Sequence, residues 1–502
     1  MADAPDFAAR GDFIAGRFVL PERVAGEIAL EDPGDTRAEL GAFPFGADAG
    51  EQAIDAARAA FPAWRDAEPA TRAAHLRRFG EALRADGERL ARVIATEVGK
   101  PVWEARTEVQ AMIGKIDITL GQGLELVAPR VLALGPGQVG RWRASARGVL
   151  AVLGPFNFPG HLVHGHVVPA LATGNCVVVK PSEQTPATGQ LYAELAQRAG
   201  FPSGVVNVVQ GDGSVGAALA AHRGLDGVLF TGSWGVGRQI LAANLDQPWK
   251  LVALEMGGKN GVLVCADADL DAAAVAIAFG ACVTTGQRCS ATSRVFAARP
   301  VADALCEKLA KLFREIEIGH SSNNRVFMGP LVSRAARERH ARVLGMAASE
   351  GAEALVAGGP CDGPRPGHYV RPSLHRLRAH DRASRYQSDE HFVPDAFVLA
   401  VDSTDEGLAL LDATDYGLAA SIFTRERATY ERAARGLRVG ALNWNAATVG
   451  ASSKLPFGGV KRSGNDRAAG AASTLYTTFP QANLEHEQPP APGDWPGFPR
   501  LR

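Results

Sequence analysis

The feature that most constrains the fold of this chain is an alternation of short apolar runs and helix-length segments, which begins near residue 148. Strands separated by helices of this length predict an α/β fold with a parallel, doubly wound sheet. Such a sheet binds its ligand beyond the carboxyl ends of the strands. The five predicted strands are Val149 to Leu153, Cys176 to Lys180, Val205 to Val209, Gly227 to Thr231 and Leu251 to Glu255.

The segments around this region extend the α/β pattern. Residues 50–120 carry apolar side chains at helical spacing and predict helices. Another helix is predicted to start at Thr185 as its N-cap and to stop at Gly200. A second alternation of strands and helices covers about 260–450, and the tail at 487–502 holds five prolines. We expect that tail to be extended or poorly ordered.

Composition excludes several classes of protein. A chain of 502 residues is too long for one compact core, so more than one domain is expected. Lys and Arg total 53 against 54 Asp and Glu, which excludes a nucleic-acid binder or membrane-surface protein that relies on bulk charge. No targeting segment is evident, and the longest apolar run, 272–283, is too short to span a membrane. We therefore expect a cytoplasmic protein.

Two glycine-rich segments are candidate phosphate sites. Residues 211–216, from Gly211 to Gly216, match the dinucleotide-binding pattern G-x-G-x-x-G, but the acidic residue expected about 20 positions later is missing. A structural turn and a phosphate site both remain open there. The segment after the next strand, with Gly232, Ser233 and Gly237, is the better candidate, because backbone N–H groups at a helix start favour an anion.

One of the six cysteines lies in a setting suited to chemistry. Cys289 ends a polar Gly-Gln-Arg-Cys loop, whereas the other five lie in strands, apolar helices or a loop and are interpreted as structural. A thiolate is a strong nucleophile, and a nearby cation or helix N-terminus increases its fraction. Glu255 stands at a strand end, 34 residues before Cys289. His161, His164 and His166 resemble a metal cluster, but no carboxylate follows at ligand spacing, so no metal is expected.

Six motifs in this order and spacing resemble the aldehyde dehydrogenase superfamily, whose members are NAD(P)-dependent. The likeness covers about residues 50–480. The motifs are Gly154-Pro-Phe-Asn-Phe-Pro159, Val179-Lys-Pro-Ser-Glu183, Phe230-Thr-Gly-Ser233, Leu254-Glu-Met-Gly-Gly258, Gly286-Gln-Arg-Cys289 and Pro456-Phe-Gly-Gly459.

The resemblance implies catalytic roles for three residues. Cys289 matches the nucleophile that attacks the aldehyde carbon. Asn157 matches the amide that forms an oxyanion hole with the Cys289 peptide N–H. Glu255 matches the general base that activates water to release the acid. These roles describe a hydrolytic enzyme rather than a CoA-acylating one, which does without the base.

The resemblance also implies a cofactor site for NAD. Lys180 and Glu183 match the pair that contacts the adenine ribose; a carboxylate there favours NAD over NADP, because it repels a 2′-phosphate. The family's Glu-x-Phe-Gly-Pro segment appears as Glu390-His-Phe-Val-Pro394, where Val393 replaces a glycine, so the local backbone is expected to differ. The implied cofactor residues are Phe156, Lys180, Ser182, Glu183, Gly211, Gly232, Ser233, Gly237, Glu390 and Phe392.

Within the superfamily, three stretches resemble the succinylglutamate semialdehyde dehydrogenases. A substrate with several carboxylates calls for cations and hydroxyl donors, and the candidates are Arg288, Ser452, Ser453 and Lys454. Another anionic semialdehyde, such as succinate semialdehyde, and a non-catalytic binding protein remain alternatives. The stretches are Trp103-Glu-Ala-Arg-Thr-Glu-Val-Gln-Ala-Met112, Asn157-Phe-Pro-Gly-His-Leu-Val-His-Gly-His166, and Asn443-Trp-Asn445 with Gly450-Ala-Ser-Ser-Lys454.

The family fold implies three parts and an oligomer. The expected divisions are an NAD-binding domain at 1–122 and 144–255, a catalytic domain at 256–460, and a small β extension at 123–143 and 474–486 that pairs with a partner subunit. Thr474 to Thr478 is predicted to be a strand of that extension. A homodimer and a homotetramer both remain open.

Overall fold

The computed structural model describes residues 7–467, 469–488 and 496–499. Residues 1–6 and most of the predicted proline-rich tail, including Pro489, Pro490 and Pro492, lie outside the described residues. The helices are α1 (Ala49–Asp66), α2 (Pro69–Ala85), α3 (Gly87–Val98), α4 (Val102–Ile118), α5 (His161–Ala172), α6 (Pro186–Arg198), α7 (Gly213–Ala221), α8 (Trp234–Ala243), α9 (Leu270–Cys282), α10 (Arg299–Glu315), α11 (Arg334–Ser349), α12 (Arg385–Ser388), α13 (Thr404–Asp412), α14 (Arg427–Gly436) and α15 (Ser473–Tyr476). The strands are β1 (Asp12–Ile14), β2 (Arg17–Val19), β3 (Gly26–Ala29), β4 (Ala42–Phe45), β5 (Arg130–Gly135), β6 (Gln138–Ala146), β7 (Val149–Leu153), β8 (Cys176–Lys180), β9 (Val206–Val208), β10 (Gly227–Thr231), β11 (Leu251–Glu255), β12 (Asn260–Val264), β13 (Thr292–Ala298), β14 (Glu353–Val356), β15 (Gly359–Pro360), β16 (Val370–Arg371), β17 (Ser373–Leu377), β18 (Asp395–Val401), β19 (Tyr416–Gly417), β20 (Ala419–Phe423), β21 (Ala441–Trp444), β22 (Pro456–Phe457), β23 (Val460–Lys461), β24 (Ala469–Gly470) and β25 (Thr478–His486).

The first sheet contains all five predicted strands and confirms the doubly wound arrangement. Its order is β11-β10-β7-β8-β9-β1-β2, and the strands from β11 to β9 are parallel. The chain moves outward from β7 through β8 to β9, and then crosses back to place β10 and β11 on the other side of β7. This reversal leaves a crevice beyond the carboxyl ends of β7 and β10, which is where such folds bind ligands.

The second sheet lies in the second region of alternation. Its order is β14-β17-β18-β13-β12-β20-β21, with β14 antiparallel at one edge and the other pairs parallel. Separate apolar clusters pack the helices against each of these two sheets. The α/β class is therefore confirmed for both regions, while the predicted domain boundaries stay a prediction.

The helices before the first sheet confirm the predicted helical segment, since α1 to α4 fill nearly all of 49–118. Thr185 is the N-cap of α6 as predicted, but its side chain makes no capping bond. Glu97 on α3 supplies the cap instead, because its carboxylate accepts from the N–H groups of Ala187 (2.7 Å) and Thr188 (2.8 Å). Within the described part of the chain, no helix combines the length and apolar character needed to cross a membrane.

A three-stranded antiparallel sheet, β25-β6-β5, overlaps the predicted extension. The predicted strand at Thr474 to Thr478 is wrong, because Ser473–Tyr476 forms the helical turn α15 and the strand begins at Thr478. The Thr474 hydroxyl donates to the Gly123 carbonyl (2.7 Å) and the Thr478 hydroxyl to the Thr474 carbonyl (3.0 Å). Such side-chain bonds to backbone favour a turn over the extended conformation that β-branched residues prefer. The role of this sheet in oligomerisation stays a prediction.

Candidate active site

Two cavities of the protein share part of their lining. The larger of the two, of about 690 Å³, lies in the crevice beyond the carboxyl ends of β7 and β10. Its walls come from the segments that follow β7, β8 and β10 and from the start of α7 and α8. This placement is the one that the sheet topology predicts for a dinucleotide. The predicted cofactor residues that line it are Phe156, Lys180, Ser182, Glu183, Gly232, Ser233, Glu390 and Phe392.

Ser233 prepares one end of this cavity for an anion. It is the N-cap of α8, and its hydroxyl accepts from the Val236 N–H at 3.3 Å. The N–H groups and positive dipole end of α8 face the same space, which suits a phosphate. A second anchor lies beside it, where the Lys180 ammonium donates to Glu183 at 3.2 Å. Lys180 is buried and Glu183 is half-exposed, so this pair presents both a cation and hydrogen-bond acceptors to the cavity.

Two predicted cofactor residues do not line the larger cavity. A Cβ at Gly211 would lie 2.5 Å from Val215, and a Cβ at Gly237 would lie 2.4 Å from the sulfur of Met256. The structure therefore gives both glycines a packing role. The glycine pattern at 211–216 forms a turn whose Asp212 carboxylate caps α7 by accepting from the Ser214 N–H at 2.9 Å, while Gly213 and Gly216 reach the cavity.

Glu390 and Phe392 complete the wall of the larger cavity next to Cys289. The Glu390 carboxylate accepts from the Gly258 N–H at 2.8 Å, and burial raises its pKa to about 7. Phe392 adopts a positive φ of 59° and its ring lies 5.9 Å from that of Phe156. Val393, which replaces the family glycine, is not among the positive-φ residues; its side chain is buried in the apolar core of the second sheet. Val393 thus packs in the core, and Glu390 and Phe392 both line the larger cavity.

The smaller cavity, of about 260 Å³, lies between one face of α4, one face of α5 and the loop at 450–453. Asn157 and Cys289 line both cavities. A substrate in the smaller cavity and a cofactor in the larger one would therefore meet at the same thiol.

Cys289 lies in a constrained loop between α9 and β13. Gly286 has a φ of +70°, and a Cβ there would lie 2.4 Å from the Val393 carbonyl, so this position requires glycine. The Asn260 side chain fixes the loop by donating to the Cys289 carbonyl at 2.8 Å. Burial, together with the nearby Glu390 and Glu255, raises the pKa of the Cys289 thiol to about 12, although Arg288 and the Ser290 peptide N–H oppose the shift. The thiol is thus protonated at neutral pH and needs a base or a positive charge nearby to become a nucleophile.

Asn157 is held beside this thiol by a buried ion pair. Its side-chain amide donates to the Gln287 carbonyl at 2.9 Å. Its own carbonyl accepts from the Lys100 ammonium at 2.6 Å, and Lys100 also pairs with Glu108 at 2.8 Å. Glu108 in turn accepts from the N–H groups of Gly160 and His161 at 2.9 and 3.0 Å. These bonds fix the loop that carries Asn157, so the amide is preorganised for an oxyanion.

Glu255, the last residue of β11, lines the smaller cavity. Its side chain is buried, and one carboxyl oxygen has no hydrogen-bond partner among the described residues. Burial raises the pKa of Glu255 well above its usual value, although the peptide N–H of Ala469 opposes the shift. A carboxyl group with a raised pKa is a stronger base, which is what activation of water requires.

The predicted substrate residues divide into two groups. Arg288, Ser452 and Ser453 line the smaller cavity, whereas Lys454 is exposed and lies outside the lining of both cavities. The Arg288 guanidinium already donates to Glu104 (2.8 Å) and to the Thr284 hydroxyl (2.7 Å). Its charge is therefore balanced inside the protein.

Of the three neighbouring histidines, His164 and His166 bond to different hydroxyl groups, and the Nδ1 atom of His161 has no hydrogen-bond partner among the described residues. His164 contacts the Tyr192 hydroxyl at 3.0 Å, and His166 contacts the hydroxyls of Tyr476 (2.8 Å) and Thr231 (3.2 Å). Burial lowers the pKa of His164 and of His166 to about 3, so both rings are neutral. Among the described residues, no group of three or more His, Cys, Asp or Glu side chains is arranged to hold a metal ion.

This sheet topology, the two adjoining cavities and the cysteine that lines both of them agree with a match between the sequence and a known protein family. The model described as the aldehyde dehydrogenase family matches residues 22–481. The chain belongs to that family.

The chain is also similar to named relatives and to solved structures. An N-succinylglutamate 5-semialdehyde dehydrogenase of Caulobacter vibrioides is 40% identical over 424 residues, which cover 82% of this chain and 86% of that protein. One of Novosphingobium aromaticivorans is 38% identical over 83% of this chain and 88% of that protein. The crystal structure of an NAD-dependent aldehyde dehydrogenase from Sinorhizobium meliloti has a TM-score of 0.91 at 32% identity, covering 97% of this chain and 96% of that one.

Sequence reasoning missed a set of buried charges that support this aldehyde dehydrogenase site. Glu104, Glu108 and Lys115 follow each other at helical spacing on α4, and all three are buried. Charged residues that share a helix face with the apolar Ala105, Val109 and Met112 are a signal of buried ion pairs or of a polar cavity. The sequence therefore indicated buried charges on α4, but it did not show which residues pair with them.

Proposed function

We propose that the chain is an NAD-dependent, hydrolytic aldehyde dehydrogenase that oxidises N-succinyl-L-glutamate 5-semialdehyde to N-succinyl-L-glutamate. The observation that carries the proposal is that Cys289 and Asn157 line both cavities, while Glu255 lines the smaller one together with them. A nucleophile, an oxyanion donor and a raised-pKa base are the three groups that aldehyde oxidation followed by hydrolysis requires.

The chemistry divides among these three residues. The Cys289 thiol gives up its proton to a water molecule, and the resulting thiolate attacks the aldehyde carbon. The oxyanion that forms accepts from the Asn157 amide and the Cys289 peptide N–H. Bound NAD supplies the hydride acceptor. The carbon is then held as a thioester on Cys289, and Glu255 removes a proton from the water that attacks it. Breaking the carbon–sulfur bond releases the acid and returns the thiol.

The larger cavity fits a dinucleotide. Its volume of about 690 Å³, the N-terminus of α8 capped by Ser233, and the Lys180–Glu183 pair suit a pyrophosphate and a ribose. Glu183 favours NAD over NADP, because its carboxylate accepts from a ribose 2′-hydroxyl and repels a 2′-phosphate. Catalysis by Cys289 does not draw on coenzyme A, and the presence of Glu255 supports water as the acyl acceptor.

The substrate assignment rests on the relatives' names and on the lining of the smaller cavity. Two relatives at 38% and 40% identity are named for N-succinylglutamate 5-semialdehyde. The cavity carries the hydroxyls of Ser452 and Ser453 and two cationic side chains, Arg288 and Lys115. Such groups suit a substrate that bears carboxylates. The proposal includes a cytoplasmic homodimer or homotetramer, in which the exposed Val131, Leu132 and Leu134 of β5 are covered by a partner.

A substrate panel tests the proposal. Purified protein is given NAD and, in turn, N-succinyl-L-glutamate 5-semialdehyde, succinate semialdehyde and hexanal, and NADH formation is measured with and without coenzyme A. We expect the highest kcat/KM for the succinylated substrate and no acyl-CoA product. Preference for succinate semialdehyde would favour the alternative anionic substrate, and preference for hexanal would remove the anionic assignment. Absence of NADH with all three would leave a non-catalytic protein.

A further inference from the structure

Two of the charged side chains that line the smaller cavity are already paired. Arg288 lines it, but its guanidinium pairs with Glu104 at 2.8 Å. Glu108 lines it too, and its carboxylate pairs with Lys100 at 2.8 Å.

Two other titratable side chains of the lining, Lys115 and Glu255, have no ion-pair partner among the described residues. Burial raises the pKa of the Glu255 carboxyl group well above its usual value, which favours its neutral form. The Lys115 ammonium is therefore a buried positive charge with no carboxylate within ion-pair distance.

Neutral groups hold the Lys115 side chain in place. The ammonium donates to the Gly470 carbonyl at 2.5 Å and to the Ser473 hydroxyl at 2.9 Å, and the residue is 1% exposed. An ammonium has three N–H donors, so these two bonds leave one donor for another acceptor. Burial lowers the pKa of Lys115 to about 8, because no negative charge offsets the loss of water. A buried charge without a partner is costly, and an anion in the cavity would remove that cost.

The position of Lys115 suits the far end of a bound substrate. Thr107, Ala111 and Lys115 follow each other at four-residue spacing, so one face of α4 lines the cavity for about two turns, or roughly 12 Å. Gly470, which accepts from Lys115, is also part of the lining. An aldehyde carbon at Cys289 and a carboxylate several bonds away can therefore occupy the same cavity.

A second polar group faces the same space from α5. His161 lines the cavity, and its Nδ1 is buried without a hydrogen-bond partner among the described residues. His161 and Lys115 belong to the same cavity lining. Burial lowers the pKa of His161, Glu108 raises it, and the positive charges of Lys115 and Lys100 lower it further. A neutral imidazole with its proton on Nδ1 can donate to a carboxylate that Lys115 holds.

We propose that Lys115, assisted by His161, binds a carboxylate of the aldehyde substrate and thereby selects anionic aldehydes over neutral ones. This proposal rests on the proposed function, and it assigns the selectivity to α4 rather than to the loop residues near Cys289. Lys115 acts on binding, so its loss affects KM for anionic substrates more than kcat.

A competing explanation is that Lys115 only ties α4 to the turn at α15 through Gly470 and Ser473. A structural tie would support every substrate equally, because it would keep the whole cavity in shape. A carboxylate anchor would matter only for substrates that carry the carboxylate. The two explanations are therefore separated by comparing an anionic with a neutral aldehyde in the same variants.

The test uses two variants that remove the charge. Lys115→Met keeps the length of the side chain, and Lys115→Gln keeps an N–H donor for Gly470 and Ser473, so that folding is protected in at least one of them. The kcat/KM with saturating NAD is measured for N-succinyl-L-glutamate 5-semialdehyde and for hexanal. Lys311→Met, on an exposed position of α10, is the matched control for the substitution itself.

We expect both Lys115 variants to lose about 10- to 100-fold in kcat/KM for the succinylated substrate, mostly through KM, because a charge-assisted hydrogen bond is lost. Activity with hexanal should stay within about 3-fold of wild type, because hexanal has no carboxylate for Lys115 to bind. Equal losses for both aldehydes, or no loss for either, would overturn the Lys115 assignment while the enzyme assignment stands. A wild-type protein inactive with every aldehyde would overturn both proposals.

Discussion

The two cavities that meet at Cys289 are built from different kinds of structure. The larger cavity is made by backbone that follows strand ends: β7, β8 and β10 each place a polar residue on it within four positions of the strand's last residue. The smaller cavity is made by the side chains of two helices and a loop. Two of its charged side chains, Arg288 and Glu108, are paired with residues elsewhere in the fold, and Arg288 is 184 residues from its partner Glu104.

This difference separates binding of the cofactor from chemistry on the substrate. Changes to the pairs that support the smaller cavity should impair the reaction and leave cofactor binding intact. Changes at the strand ends of the larger cavity should alter the choice of cofactor and leave the chemistry intact. Three variants test this separation.

Of these three variants, the largest effect is expected from Glu255→Gln, which removes the base of the smaller cavity and nearly preserves the shape of the side chain. Steady-state turnover should fall about 10²- to 10⁴-fold, since general-base catalysis contributes that much. In the proposed mechanism water, rather than Glu255, takes the proton of the Cys289 thiol, so rapid mixing should still give a burst of about one NADH per subunit. A steady-state rate near that of wild type would show that Glu255 does not activate the water.

A smaller effect is expected from Lys100→Met, which removes the cation that holds the Asn157 loop. Glu108 is left buried and unpaired, and the amide moves out of place, so kcat should fall about 10- to 100-fold for anionic and neutral aldehydes alike. Affinity for NAD, measured by fluorescence titration, should change little. Arg106→Met breaks an exposed pair between Arg106 of α4 and Glu88 of α3 and serves as the control, with activity retained. Loss of NAD affinity in Lys100→Met would show that the support of the smaller cavity also affects cofactor binding, which would contradict the inferred separation of the two roles.

The smallest effect is expected from Glu183→Ser in the larger cavity. Removing the carboxylate removes repulsion of a 2′-phosphate, so the ratio of kcat/KM for NADP to that for NAD should rise about 10-fold. The kcat with NAD should stay close to wild type, because Glu183 does not line the smaller cavity, where the substrate reacts. An unchanged ratio would mean that Glu183 does not contact the ribose.

The sequence predicted those parts of the molecule in which the physical cause is local. Five of the seven strands of the first sheet were predicted as apolar runs between turn residues, and four of these five have the predicted bounds. The larger cavity was predicted for the same reason, since the polar residues that follow Leu153, Lys180 and Thr231 are fixed by the strand before them.

The parts that the sequence did not predict depend on partners far along the chain. The turn at Ser473–Tyr476 forms because Thr474 bonds to Gly123, and β-branched residues alone had indicated a strand. Gly211 and Gly237 match a cofactor pattern, but Val215 and Met256 occupy the space that decides their role. In the sequence, Lys115 is only one lysine of a helical segment. The fold shows that α15 and α5 enclose it.

The most direct test of the central assignment is NADH formation by wild type and by Cys289→Ala with N-succinyl-L-glutamate 5-semialdehyde and NAD. If Cys289 is the nucleophile at the meeting point of the two cavities, wild type should form one NADH per acid released. The alanine variant should lose at least about 10⁴-fold in rate while it still binds NAD. Activity in the alanine variant comparable to wild type would contradict the assignment of the thiol, and with it the function proposed for the site.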